Sequence, residues 1–263
     1  MRASGNGIEI DYDLDGPAGA PVVMLSHSLA CTREMWKPQL KALGQEHRVL
    51  SYDMRGHGRT GVTPPPYSFA TLAADVVALL DHLKIERVSF VGLSIGGMIA
   101  QQLAIHHPQR LRCAVVCCST SAIPVTVRPV WDERIAAVEG GGMATQVETT
   151  LERWFTAPYR AAHPDVIAWV GGMIKNTPVP GFVGCGRAIQ GLNITAELAT
   201  VKLPALVLAG EKDPGLPPAM SAAIHGAIAG SEYAVIPDAA HIANIEQAEA
   251  FNGLVTAFLA RFR

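Results

Sequence analysis

The stretch Gly92-Leu93-Ser94-Ile95-Gly96-Gly97 contains the pattern G-x-S-x-G and decides the fold. It follows a predicted strand at residues 87–91 and precedes a predicted helix that begins at Ile95, so the chain must turn sharply at Ser94. The two glycines of the pattern leave room for the strained backbone of such a turn. The turn exposes the serine hydroxyl beside free helix amides, which is typical of a nucleophilic serine. A capping serine in a glycine-rich turn is the alternative.

Short apolar runs alternate with helix-length segments around this turn. Six continuous apolar runs predict strands that are covered on both faces, as in a parallel sheet: residues 22–25, 48–52, 87–91, 113–117, 205–209 and 233–236. Apolar residues at helical spacing predict helices over 72–83, 95–106 and 248–262. The order implies right-handed crossovers and an α/β fold with a mostly parallel, doubly wound sheet. Residues 8–14 are predicted to add an antiparallel edge strand.

The alternation stops between about residues 119 and 203. This segment is rich in alanine, and its patterns predict helices near 131–139, 144–156 and 163–174 but no strand. Predicted strands of the same sheet flank it on both sides. We therefore interpret residues 119–203 as a helical cap inserted into a core domain formed by 1–118 and 204–263, with an independent helical domain as the alternative.

A serine nucleophile needs a base, and the base needs an acid that orients it. In sheets of this kind the chain order is serine, acid, histidine. Asp213 and His241 each follow one of the last two predicted strands, at the edge where open α/β sheets place their sites. We predict Ser94 as nucleophile, Asp213 as acid and His241 as base. Glu211, which leaves the same strand earlier than Asp213, is the alternative acid.

The oxyanion that forms during attack on a carbonyl must be met by fixed N–H donors. The amide of Ile95, directly after the nucleophile, is one candidate. The amide of Leu29 is the second, because it lies in the loop that follows strand 22–25. An ordinary strand-end loop is the alternative for this second position.

Composition restricts the function classes. The chain has 263 residues, 49% hydrophobic and 17% charged, which suffices for a large core. A net charge of −2 argues against nucleic acid and anionic membranes as partners, and no metal-ligand or nucleotide-binding motif predicts a metal or cofactor. Five irregularly spaced cysteines, no membrane-length apolar stretch and no signal-peptide pattern predict a reduced, cytoplasmic protein with buried thiols. We expect a monomer or homodimer that acts on a small molecule.

These residues resemble the α/β-hydrolase superfamily over essentially the whole chain, and 3-oxoadipate enol-lactonases of aromatic-compound degradation in particular. The turn at Ser94 is common to the whole superfamily and is therefore not specific to lactonases. The more specific similarities are Leu25-Ser26-His27-Ser28-Leu29, Tyr52-Asp53-Met54-Arg55-Gly56-His57-Gly58, Trp131-Asp132-Glu133-Arg134-Ile135, Glu152-Arg153-Trp154-Phe155-Thr156 and His241-Ile242-Ala243-Asn244-Ile245-Glu246-Gln247. Such lactonases often carry glycine where this chain has Ala30.

The resemblance implies that water opens an enol-lactone to a dicarboxylate through a serine mechanism without a cofactor. Arginine is well suited to hold the carboxylate of such a substrate, and Arg134 shares a helical face with Trp131. A salt bridge of the cap and plain packing are the alternatives for these two residues. Trp154 and Trp36 are further candidates for substrate binding. A general carboxylesterase or lactonase, a C–C bond hydrolase and a non-catalytic binding protein are the alternative functions.

Overall fold

One sheet of eight strands lies at the centre of the protein, in a computed structural model that describes residues 1–262. The strands are β1 (Arg2–Gly5), β2 (Ile8–Asp15), β3 (Val22–Ser26), β4 (Arg48–Tyr52), β5 (Val88–Leu93), β6 (Leu111–Cys117), β7 (Ala205–Gly210) and β8 (Glu232–Ile236). Their order across the sheet is β1-β2-β4-β3-β5-β6-β7-β8. Strands β3 to β8 run parallel, whereas β1 and β2 are antiparallel to their neighbours. The predicted mostly parallel sheet is confirmed.

The edge of the sheet differs from the prediction. The segment predicted as the edge strand is β2, and β1 lies outside it. Strand β1 has the sequence RASG and carries no apolar signal. The turn that follows it does carry a signal, because Asn6 and Gly7 both adopt positive φ, of 48° and 77°. An Asn-Gly pair of this kind favours a two-residue hairpin, and it could have identified β1.

Helices cover both faces of the sheet. The core helices are α1 (Lys37–Leu43), α2 (Phe69–His82) and α3 (Ile95–His106). Between β6 and β7 follow α4 (Arg128–Gly141), α5 (Val147–Trp154), α6 (Ala157–Ala162), α7 (Pro164–Lys175) and α8 (Val179–Gln190), and after β7 follow α9 (Pro218–Ala227), α10 (Ala243–Glu246) and α11 (Ala248–Leu259). Helix α2 packs against α3, and α1 packs against α11. The central strands are buried on both faces, which explains their continuous apolar runs.

The segment between β6 and β7 contains two helices that the sequence did not predict, α6 and α8. Helix α8 begins Val179-Pro180-Gly181, which predicts a loop. Its glycines serve close packing instead. A Cβ at Gly181 would collide with the backbone of Gly56, and a Cβ at Gly184 would lie 2.7 Å from the ring of Tyr67. Tertiary contacts at these glycines thus outweigh the low helix propensity of the segment. The division of the chain into a core domain and a cap at residues 119–203 stays a prediction.

All five cysteines are free and buried. Burial raises the pKa of the Cys113 thiol to about 11 and raises the pKa of the other four further. The thiols therefore remain protonated at neutral pH, as structural core residues do. Within residues 1–262, no helix has both the length and the apolarity that a membrane span requires.

Candidate active site

The turn at Ser94 has the strained backbone that the sequence predicts. Ser94 lies between β5 and α3 with φ 58° and ψ −116°. Its amide donates to the Cys117 carbonyl at 2.9 Å, and the Ser119 hydroxyl donates to the Ser94 carbonyl at 2.9 Å. A Cβ at Gly92 would collide with the backbone of Gly96, and one at Gly96 would collide with the backbone of Ser26, the last residue of β3. These contacts stabilise a conformation that costs a non-glycine residue roughly 1–3 kcal/mol.

The loops after β7 and β8 bring Asp213 and His241 together. The Nδ1 atom of His241 lies 2.6 Å from Oδ2 of Asp213. The other carboxylate oxygen, Oδ1, accepts hydrogen bonds from the amides of Gly215 and Leu216, each at 2.9 Å. The Asp213 side chain is fully buried. The carboxylate is therefore fixed in place, and a proton on Nδ1 leaves Nε2 of His241 as the basic atom.

The alternative acid, Glu211, lies on the surface. Its carboxylate accepts a hydrogen bond from the Asp238 amide at 3.0 Å and pairs with Lys212 at 3.3 Å. These contacts lower the pKa of Glu211. The structure therefore pairs His241 with Asp213 rather than with Glu211.

The two amides predicted to receive an oxyanion lie at the ends of β3 and β5. Ile95 is the first residue of α3, so its N–H has no partner within the helix. Leu29 lines the cavity beside Ser94, and its amide has no hydrogen-bond acceptor among residues 1–262. The next residue, Ala30, adopts a φ of 60°, and its amide donates to Nε2 of His57 at 3.1 Å. The loop that presents the Leu29 amide is thus held by a side chain from another loop.

Two buried histidines support this loop. His57 donates from Nδ1 to the Arg55 carbonyl at 3.1 Å, and His27 donates from Nδ1 to the Ser28 carbonyl at 2.8 Å. Nε2 of His27 accepts from the Met54 amide at 2.9 Å. Burial lowers the pKa of His27 to about 4 and that of His57 to about 3. Both rings are therefore neutral at pH 7, which lets each Nε2 accept a hydrogen bond.

One cavity of about 290 Å³ contains Ser94, Asp213 and His241 in its walls. Most other lining residues are apolar, among them Met98, Ile123, Val127, Val130, Phe182, Ile189, Leu216 and Met220. Trp131 and Trp154, which the sequence proposes as substrate-binding residues, line the cavity. The Trp154 ring lies 6.1 Å from the His241 ring, centroid to centroid. Within residues 1–262, no group of three or more His, Cys, Asp or Glu side chains could hold a metal ion.

The substrate-binding prediction for Trp36 is wrong. Trp36 is fully buried outside the cavity, and its ring packs 6.1 Å from the Phe251 ring, centroid to centroid. Trp36 immediately precedes α1, and Phe251 belongs to α11, the helix against which α1 packs. The indole is therefore part of the core, because the packing of α1 on α11 decides its direction.

Arg134 lies in the cavity wall that α4 provides. Its guanidinium lies 4.4 Å from the centroid of the Trp131 ring and 5.6 Å from that of Phe182. Its Nε donates to Oε1 of Gln146 at 3.3 Å. Burial, with the charge of nearby Arg153 as a smaller cause, lowers the pKa of Arg134 to about 10. The group is still a cation at neutral pH.

Arg153 is a second cation in the same cavity wall, and sequence reasoning missed it. Its Nη2 donates to the Thr150 hydroxyl at 3.2 Å, and burial lowers its pKa more than the charge of Glu152 raises it. Neither Arg153 nor Arg134 forms an ion pair with a carboxylate of residues 1–262. The helical spacing of Thr150, Arg153 and Trp154 places them on one face of α5 and could have identified this residue.

Residues 21–248 match the family model of the alpha/beta hydrolase fold. The chain belongs to the α/β-hydrolase family. This hydrolase is 32% identical over 255 residues to 3-oxoadipate enol-lactonase 2 of Acinetobacter baylyi, covering 97% of this chain and 94% of the relative. It is also similar to the crystal structure of the enol-lactonase from Burkholderia xenovorans LB400, with 37% identity, a TM-score of 0.96 and coverage of 99% and 100%.

A further relative of this α/β hydrolase has a different name. A putative carbamate hydrolase RutD of Variovorax paradoxus is 29% identical over 256 residues, covering 96% of each chain. The predicted resemblance to α/β hydrolases and enol-lactonases is confirmed, and the protein is a hydrolase.

Proposed function

We propose that this α/β hydrolase opens a small enol-lactone that bears a carboxylate, of the 3-oxoadipate enol-lactone type, without a cofactor. One observation carries the proposal: Arg134 and Arg153 line the cavity that also holds Ser94, and neither forms an ion pair with a carboxylate of residues 1–262. Both arginines are half-buried, and partial burial lowers the pKa of each. A partly desolvated charge without an ion-pair partner is costly, so two such cations favour an anionic ligand. The similarity to enol-lactonases supports a lactone as the reacting group.

In the first half of the proposed reaction, Oγ of Ser94 attacks the lactone carbonyl while Nε2 of His241 takes the hydroxyl proton. The Leu29 and Ile95 amides stabilise the resulting oxyanion. Collapse of this intermediate breaks the bond between the acyl carbon and the ring oxygen. The ring oxygen leaves as an enolate and receives the proton from His241. The resulting enol tautomerises to a ketone, and the opened chain remains attached to Ser94 as an ester.

Water completes the proposed reaction. His241 removes a proton from water, and the hydroxide attacks the ester carbonyl. The second oxyanion collapses, and Ser94 leaves with the proton that His241 returns. The product is an oxo-dicarboxylate, formed from one lactone and one water with the release of one proton. Throughout, Asp213 holds the imidazole in the correct tautomer and stabilises its charged form.

The role proposed for Arg134 and Arg153 is to bind the carboxylate that the substrate already carries. Arg134 is held against Trp131 by a cation–π contact and against Gln146 by a hydrogen bond of 3.3 Å, so little freedom is lost on binding. A hydrogen bond to a charged group contributes about 1.5–3 kcal/mol. The apolar remainder of the cavity suits the ring and chain carbons of a small lactone.

A small neutral ester or lactone is the second candidate substrate, favoured by the mainly apolar walls of the cavity. The decisive experiment compares kcat/KM for 3-oxoadipate enol-lactone with that for its methyl ester, which keeps the ring and loses the charge. We expect the acid to exceed the methyl ester by about tenfold or more. Equal values, or a preference for the methyl ester, would contradict the proposed carboxylate recognition and support the neutral substrate.

A further inference from the structure

We propose that Glu246 is a positioning residue, which holds His241 in place and couples it to residues 154–156 between β6 and β7. This inference rests on the proposed role of His241 as the base. Glu246 is the last residue of α10 and is buried. It does not line the cavity that contains Ser94, so it acts through other residues and not on the substrate.

The Glu246 carboxylate joins two segments that are distant in sequence. Oε2 accepts a hydrogen bond at 2.7 Å from the amide of Ala240, the residue directly before His241. Oε1 accepts one at 2.8 Å from the amide of Thr156 and another at 2.6 Å from the Thr156 hydroxyl. The carboxylate therefore bridges the loop that carries His241 and the start of α6.

The residue on the other side of His241 is attached to the same segment. The amide of Ile242 donates to the carbonyl of Trp154 at 3.1 Å. Both peptide neighbours of the base thus depend on residues 154–156, and the Trp154 ring also lies beside the imidazole. A shift of this segment must consequently change the direction of the imidazole, and with it the proton transfer at Ser94.

A carboxylate suits these contacts better than an amide does. All three partners of Glu246 are donors, and an ionised carboxylate is an acceptor only. Glutamine would direct its NH₂ group at the Ala240 amide or at Thr156, and donor would face donor. No ion pair within residues 1–262 includes Glu246, so the three hydrogen bonds alone offset the cost of its burial.

The test measures hydrolysis of p-nitrophenyl acetate by the full-length Glu246→Gln protein. A displacement of about 1 Å at a catalytic group can cost about 100-fold in rate, so we expect kcat to fall roughly 10- to 100-fold. KM should change less than about threefold, because Glu246 does not touch the cavity.

Thr156→Ala should lower kcat by a smaller factor, and Thr156→Ser should restore it, because serine keeps the hydroxyl. The double variant Glu246→Gln/Thr156→Ala should be little worse than Glu246→Gln alone.

A second readout needs no turnover. The proton between His241 and Asp213 should give a low-field NMR resonance that shifts or broadens in Glu246→Gln and is unchanged in the control Val255→Ala. Val255 is a buried residue of α11 outside the cavity, so this control loses stability without touching the site. The proposal is overturned if folded Glu246→Gln keeps kcat within twofold of the wild-type value. It is also overturned if Val255→Ala, at the same thermal stability as Glu246→Gln, loses as much kcat. A wild-type protein that opens neither the enol-lactone nor the ester would instead contradict the proposed function, while the NMR comparison still tests Glu246.

Discussion

Removal of the Arg134 guanidinium should weaken the reaction of a charged substrate and spare that of a neutral one. Arg134 has no carboxylate partner among residues 1–262, so Arg134→Ala leaves no protein carboxylate behind without its cation. The substrate carboxylate loses its charge-assisted hydrogen bonds to Arg134, which contribute about 1.5–3 kcal/mol to binding. This energy corresponds to a decrease in kcat/KM of roughly 10- to 100-fold for the enol-lactone acid. Its methyl ester should change less than about threefold, since it carries no charge.

The assay follows ring opening of both lactones with Arg134→Ala, Arg134→Lys and the control Arg187→Ala. Lysine should recover only part of the loss, because a point charge does not replace the forked donor. Arg187 pairs with Asp132 outside the cavity, so its removal should leave both substrates unaffected. Thermal stability is measured in parallel, because Arg134 also stacks on Trp131. Equal losses on the acid and the methyl ester would refute the reasoning and make Arg134 a packing residue.

Three further predictions concern the site and its support. Ser94→Ala and His241→Ala should each lower kcat by several orders of magnitude, and the double variant should be little worse than either, as steady-state kinetics would show. Asp213→Asn should cost about 10⁴ in kcat with the fold retained, and a larger loss in Glu211→Gln would contradict this assignment of the acid. Folding lowers the pKa of His57 from 6.5 to about 3. The contribution of neutral His57 to the free energy of unfolding is therefore fully present above pH 6.5. It decreases as the pH falls toward the folded pKa, by at most about 1.4 kcal/mol per pH unit. Denaturant unfolding of His57→Gln should show a shallower pH dependence between about pH 7 and 4, and an unchanged slope would contradict burial of a neutral imidazole.

The sheet and the turn at Ser94 could be predicted because their causes are local. A strand covered on both faces must be apolar throughout, and each predicted parallel strand lies within two residues of its observed bounds. The strained φ at Ser94 requires glycine neighbours, which the sequence displays directly. Asp213 and His241 were found by chain order, and their contact follows from the adjacency of β7 and β8 in the sheet.

The features that escaped prediction depend on contacts between distant segments. Thr156 and Glu246 lie 90 residues apart in sequence and meet only after folding. Helical spacing places Arg153 on one face of α5 with Thr150 and Trp154, but only the folded chain shows that this face lines the cavity. The sequence proposes Trp36 as a substrate-binding residue, yet the packing of α1 on α11 buries it in the core. Burial direction is a property of the whole fold, and a single sequence does not reveal it.

The most direct test of the central claim is peptide mass spectrometry of the protein after reaction with a fluorophosphonate. The account predicts one phosphonylated residue, Ser94, with labelling slowed by 3-oxoadipate enol-lactone and lost in Ser94→Ala. In His241→Ala the labelling rate should fall by several orders of magnitude, because the base no longer removes the serine proton. An unlabelled Ser94 in folded protein that still turns over the lactone would contradict the account.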